Sequence, residues 1–198
     1  TLPSVQATAA SWNFSVGKGA GLFEKLSRMT TSLANVATRI YQGPITSADT
    51  IFLFKDYRNQ NQATTEVFSK ELNEWLKIET PLLKRVVRSG NIWRYQAQPT
   101  ALVLFPYNVE NNTAKLISPK EFKKFPMAWS YLSKNRKTLE DREKGAFKDQ
   151  HWYRFGRTQN LGLWEQPKLL IPYMITNLAA FYDAVDYFYF INVTTGGY

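Results

Sequence analysis

The chain has 198 residues, long enough for one domain with a true core, and its 44% apolar and 21% charged residues exclude a disordered polymer. No apolar run approaches the ~20 residues that span a bilayer, and no basic-then-apolar signal segment opens the chain. The 25 Lys and Arg against 16 Asp and Glu leave +9, which points to a polyanion partner, nucleic acid first; the absence of cysteine excludes disulfides and thiolate metal sites and fits the cytoplasm.

Residues 1–20 read as a lead-in, small and polar, with Trp12 and Phe14 as its apolar anchors. Gly17-Lys18-Gly19-Ala20-Gly21 precedes Leu22, Leu26, Met29 and Leu33, whose spacing predicts one face of a helix. The glycines read as a hinge, because no buried strand precedes them and no acidic residue follows at dinucleotide-site spacing. Asn35–Tyr41 alternates as a strand, Gln42–Ser47 is a turn, and Ile51–Phe54 and Thr64–Phe68 are further strands. Glu79–Val87 is expected to be helical, with Pro81 in its first turn, Lys84, Arg85 and Arg88 near its C-terminal end, and Gly90 as its stop. Ala101–Phe105 is a continuous apolar run that predicts a central strand, with Ala114–Ile117 paired beside it.

Pro126 opens an amphipathic helix with Phe125, Trp129, Leu132 and Leu139 on one stripe, ended by Gly145. The last stretch starts at the aromatic pair Trp152-Tyr153, continues through Arg154 and Arg157 in a polar loop, and reaches the strand-like runs Lys168–Pro172, Ala180–Tyr182 and Tyr187–Val193. Helices alternate irregularly with strands, so the expected class is α+β (mixed α/β), a largely antiparallel sheet with a few helices packed around it. No repeat or linker divides residues 1–198, which read as a single domain; the start at Thr1 without Met and the stop at Gly197-Tyr198 suggest a piece excised from a larger protein.

Catalytic motifs are excluded one by one. His151 is the single histidine and has no nucleophile paired with it in the sequence. Glu140, Asp141 and Glu143 sit where a solvated helix face is expected, and neither a phosphate loop nor a Gly-x-Ser-x-Gly elbow occurs. The chain reads as a binder.

The ordered series KIETPLLKRVVRSGNIWRY, ALVLFPY, LSKNRKTLEDRE, HWYRFGRTQ, PKLLIPY and FYFINVTTGGY, preceded by ATRIYQGPITSADTIFLF, resembles the TaqI-like C-terminal specificity domain. That domain is the target recognition domain of adenine-N6 DNA methyltransferases and of type IIG restriction–modification enzymes. Ser47 departs from the family, which often has Gly after the threonine matched by Thr46, and the departure bears on the conformation of that turn. The resemblance implies a bacterial or archaeal parent in which a separate methyltransferase domain, with or without a fused endonuclease, holds S-adenosyl-methionine. This fragment would hold no cofactor, metal or catalytic residue, and would bind double-stranded DNA and dock with the parent's methyltransferase domain.

On that resemblance the expected base readers are Arg154, Arg157, Gln159 and Asn160, polar and loop-borne beside the aromatic pair. Arg94 and Lys168 follow as contacts to phosphate or base, with Gly43 and Thr46 against the DNA backbone. Arg94 and Arg154 have an equally good structural reading, bonding carbonyls at strand ends, and Trp93, Tyr95, Trp152, Tyr153, Tyr182 and Tyr189 are expected in the core or sheet. Gly43 is read evenly as plain turn geometry or as a close approach to a ligand. The competing functions are a type I specificity subunit, an RNA-binding module and a metal-free hydrolase using His151.

Overall fold

The computed structural model describes residues 18–174, 177–191 and 195–197. The lead-in anchors Trp12 and Phe14, Gly17, and the end of the Tyr187–Val193 run lie outside the described residues. Two compact units are present, Thr1–Thr38 and Arg39–Tyr198.

In the smaller unit, helix α1 (Lys18–Ser27) and the turn of helix α2 (Leu33–Val36) follow one another. The helix face expected from Leu22, Leu26, Met29 and Leu33 is not continuous: α1 ends at Ser27, so Met29 lies outside it and Leu33 begins α2, and Leu22, Leu26 and Met29 are exposed. The strand expected over Asn35–Tyr41 is not formed: Ser32 donates its N–H and hydroxyl to Asn35 Oδ1, both at 2.7 Å, and this local turn outcompetes extension.

The larger unit begins at β1 (Tyr41–Gln42). The apolar run Ile51–Phe54, expected to be one strand, divides into a helical turn, α3 (Asp49–Phe52), and a strand, β2 (Leu53–Phe54). Next come β3 (Tyr57–Arg58), β4 (Thr64–Ser69) and β5 (Glu74–Glu79), a three-stranded antiparallel meander. A 3-10 turn over Thr80–Leu82 leads into β6 (Leu83–Val86), so the helix expected over Glu79–Val87 is a correction. β7 (Ile92–Trp93) and β8 (Gln96–Ala97) form a hairpin, followed by β9 (Ala101–Leu104) and the hairpin of β10 (Tyr107–Glu110) and β11 (Thr113–Leu116). Thr113–Leu116 therefore pairs with Tyr107–Glu110 and not with the Ala101 strand. Helices α4 (Pro126–Lys134) and α5 (Arg136–Glu140) and the turn α6 (Arg142–Gly145) precede β12 (Lys168–Pro172), β13 (Phe181–Asp183) and β14 (Thr195–Gly197).

The fold is α+β, and every ladder between named strands is antiparallel. β9 is buried at all four residues and central in the order β2-β9-β6, as a continuous apolar run requires. A four-stranded sheet runs in the order β1-β14-β12-β13. Tyr189 makes an isolated parallel bridge to Val86, and no regular strand forms over Tyr187–Ile191.

The helix expected from Pro126 to Gly145 starts where the sequence places it but is broken at Asn135 and Asp141, and Glu143 and Lys144 are left-handed. Pro126 needs no N–H partner, and the buried Glu79 carboxylate accepts the N–H groups of Met127 and Ala128, both at 2.8 Å. Leu132 and Leu139 are fully buried, with Phe125 and Trp129 packed against the core. An aromatic cluster around Phe105, Phe155, Trp164 and Tyr189 fills the interior; the Trp164 and Tyr189 rings lie 4.4 Å apart.

Candidate functional site

Three segments of the larger unit meet at one place: Gln42–Ser47, the α6 turn, and the loop from Arg154 to Asn160. The first and last are stitched by an antiparallel bridge between Ile45 and Arg157. Ile45 donates its N–H to the Arg157 carbonyl at 3.1 Å, Arg157 returns the bond at 2.9 Å, and Gly156 donates to the Thr46 carbonyl at 3.2 Å. A Cβ on Gly156 would stand 1.9 Å from Ser47 Oγ, so the close approach of these segments requires glycine there.

Beneath the bridge lies Arg142, 7% exposed. Its guanidinium donates to four carbonyls: Leu139 at 2.8 Å, Thr46 at 2.7 Å, Trp152 at 2.7 Å and Arg154 at 2.9 Å. Its charge also faces the Phe147 ring at 4.0 Å. Burial first, then the charge of Arg154, lowers its pKa to about 10. One planar donor fork thereby fixes three chain segments, a job that the point charge of lysine cannot do. Nothing in Arg-Glu-Lys-Gly marks this in the sequence, where it reads as a charged helix end.

The backbone here is held in costly conformations. Ser47, Glu143, Lys144 and Asn160 all have positive φ, between 48° and 63°. Ser47 adopts at φ 54° the left-handed state that glycine takes most easily, and its hydroxyl donates to Glu143 Oε1 at 3.0 Å. The turn thus keeps a glycine-type geometry without a glycine. Residues over-determined in such states cluster at binding and catalytic sites.

The expected contacts separate into two groups. Arg157 is exposed, and its side chain has no partner among the described residues. Gln159 is exposed and donates from Nε2 to the Gly43 carbonyl at a long 3.4 Å. Asn160 donates from Nδ2 to the Gln42 carbonyl at 3.1 Å, and its buried Oδ1 has no partner among the described residues. Arg94 is exposed and lies 5.1 Å over the Tyr95 ring.

The others are part of the scaffold. Arg154 is half-buried; its Nη1 pairs with both Asp149 oxygens at 2.8 and 2.9 Å and bonds the His151 carbonyl. That hydrogen bond holds the Asp149 carboxyl below its ordinary pKa. Thr46 is fully buried, its hydroxyl bonded to the Asp49 carboxylate and to the Ala48 N–H. Gly43 is buried, and a Cβ there would lie 2.6 Å from the Phe190 carbonyl oxygen, so its close approach is to the chain itself.

Lys168 is a correction. At 2% exposed, it bonds Asp183 Oδ2 at 3.0 Å and the Trp164 carbonyl at 2.8 Å, out of reach of a surface ligand. Burial lowers its pKa, against the pull of Asp183. Trp93 and Tyr95, expected in the core, are exposed by 45% and 77%, whereas Tyr182 lies in strand β13 as expected, on its exposed side. Trp152, Tyr153 and Tyr189 are buried. His151 is exposed and its backbone N–H donates to Asp149 Oδ1 at 2.7 Å. No group of three His, Cys, Asp or Glu could hold a metal among the described residues, and no helix there is long and apolar enough to cross a membrane.

No family model matches the chain. It is similar to the type II methyltransferase M.BanIII of Aneurinibacillus aneurinilyticus. The two are 28% identical over 117 residues, which take in 58% of this chain and 20% of that protein. The chain therefore covers about a fifth of the length of this curated relative.

Proposed function

We propose that the chain recognises a base sequence in double-stranded DNA on behalf of a methyltransferase, as the target recognition domain of an adenine-N6 enzyme of type II or IIG. The similarity to a type II methyltransferase supports the methyltransferase connection. The net charge of +9 supports DNA as the partner. Methyl transfer, the S-adenosyl-methionine that supplies it and the flipping of the target base would belong to another domain of the parent.

The observation that carries the reading is Arg157. Its guanidinium is exposed, without a partner among the described residues, on a backbone fixed from below by Arg142 and from the side by the Ile45 bridge. A readout arginine needs both properties, a free donor fork and a fixed origin. Gln159 stands beside it, exposed, with an amide able to face a base edge, while Asn160, its Oδ1 buried and its Nδ2 on the Gln42 carbonyl, holds the loop in place. Arg94, Lys144 and other exposed cations would neutralise phosphates and set register without carrying sequence information.

The test is selection of duplexes from a randomised library by this chain, followed by titration against salt. The reading expects an enriched sequence and an affinity that falls steeply and linearly in log–log form with salt. Recovery of unselected duplex only, or a preference for single-stranded RNA, would contradict it.

A further inference from the structure

The β7–β8 hairpin presents an unusual tip. Its pairs are Ile92 with Ala97 and Trp93 with Gln96, leaving Arg94 and Tyr95 as the two connecting residues. Ile92 is buried, whereas Trp93 and Tyr95 are 45% and 77% exposed. Tyr95 has φ 63°, a state that turns normally give to Gly or Asn, and its N–H is fastened to the Ala180 carbonyl at 2.9 Å. An aromatic ring is thus held out into solvent by a strained and anchored backbone. The Arg94 guanidinium lies 5.1 Å over that ring and has no carboxylate partner among the described residues. Trp93 and Arg94, with Asn177, Leu178 and Ala179, line a cleft of about 500 Å³, with no acidic side chain among the described residues that line it.

A half-exposed indole, a guanidinium with a long 3.4 Å bond to the Tyr95 hydroxyl, and an amide around one open cleft suit a flat heteroaromatic ring attached to an anionic backbone. We propose that this hairpin cleft stacks an unpaired nucleobase of single-stranded DNA, a second contact separate from the Arg157 loop. The inference rests on the chain being a DNA binder. The cation and the carboxylate-free lining favour DNA over a protein partner, which would leave the guanidinium without a counter-ion at a largely apolar contact.

The experiment is fluorescence anisotropy of a labelled oligothymidylate of about 12 nucleotides, a length within the range of single-strand sites. The chain is expected to bind it, Trp93→Ala to weaken it about five- to a hundredfold, and Trp93→Phe to restore most of the loss. Tyr95→Gly relieves the backbone strain, so a loss of binding in that variant cannot come from a weakened turn. Oligonucleotide binding by Trp93→Ala equal to that of the unaltered chain overturns the proposal. So does concentration-dependent self-association that Trp93→Ala abolishes while oligonucleotide binding persists. A chain that binds selected duplex but not the oligonucleotide overturns this inference alone; one that binds neither overturns the reading of the preceding subsection.

Discussion

The loop around Arg157 and the segment from Lys168 to Asp183 look alike in sequence, each a cation next to aromatic and apolar residues. They use the charge in opposite ways. Arg157 is pinned only through its backbone, by the Ile45 bridge, and its side chain stays in solvent. Lys168 is pinned through its side chain: Asp183 takes its ammonium, and the same carboxylate accepts the N–H groups of Asp186, Tyr187 and Phe188 at 3.1, 2.9 and 2.6 Å. The second arrangement closes the turn that carries Phe188–Ile191 into the core. A cation next to apolar residues therefore stays free for a ligand only where the backbone, and not the charge itself, supplies the rigidity.

The largest effect should come from separating the buried pair. Lys168→Met leaves the Asp183 charge buried and uncompensated, and should cost about 3–5 kcal/mol of stability in denaturant unfolding. A loss below about 1 kcal/mol would show that Lys168 behaves as a surface cation. Arg142→Lys comes next: most of its four carbonyl bonds are lost, which should cost on the order of 3 kcal/mol and loosen hydrogen exchange at Ile45 and Arg157 together. Exchange that rises at one segment and not the other would break the clamp account.

How much of this contrast the sequence displays depends on where the controlling partners sit. The strand Ala101–Leu104 and the helix from Pro126 are legible because each announces itself locally, through a continuous apolar run and through a proline with an apolar stripe. Glu79–Val87 misleads because Leu82, Leu83, Val86 and Val87 fit a helical stripe, while the decision is made at a distance. Pairing of Leu83–Val86 with Ala101–Leu104 and with the backbone of Tyr189 holds it extended. Arg157, Gln159 and Asn160 are found from sequence as polar loop residues. Arg142 is not, since its four acceptors come from residues up to 96 positions away. Ser47 shows the converse: it holds a left-handed turn that its residue type does not announce.

A smaller effect separates interior from surface by pH. Burial pushes the hydroxyls of Tyr41, Tyr131 and Tyr153 to about 12, and raises Tyr107 and Tyr189 further. An unfolded tyrosine ionises near about 10. The folded chain then holds protons that the unfolded chain releases, so this stability is complete below about pH 10 and is lost as pH rises through 12. Ultraviolet titration should show a fraction of the phenols ionising near 10 and the rest only with unfolding. A single step near 10 that leaves the fold intact would contradict the buried assignment.

The contrast between the two cations predicts different losses, and Arg157 gives the most direct measurement of the central claim. With a duplex selected by the unaltered chain, Arg157→Ala should weaken binding by about 1–3 kcal/mol while random duplex is bound nearly as before, and the unfolding midpoint should not move. Equal losses on selected and random duplex would make Arg157 a phosphate contact and contradict the account of this loop as the reader of sequence.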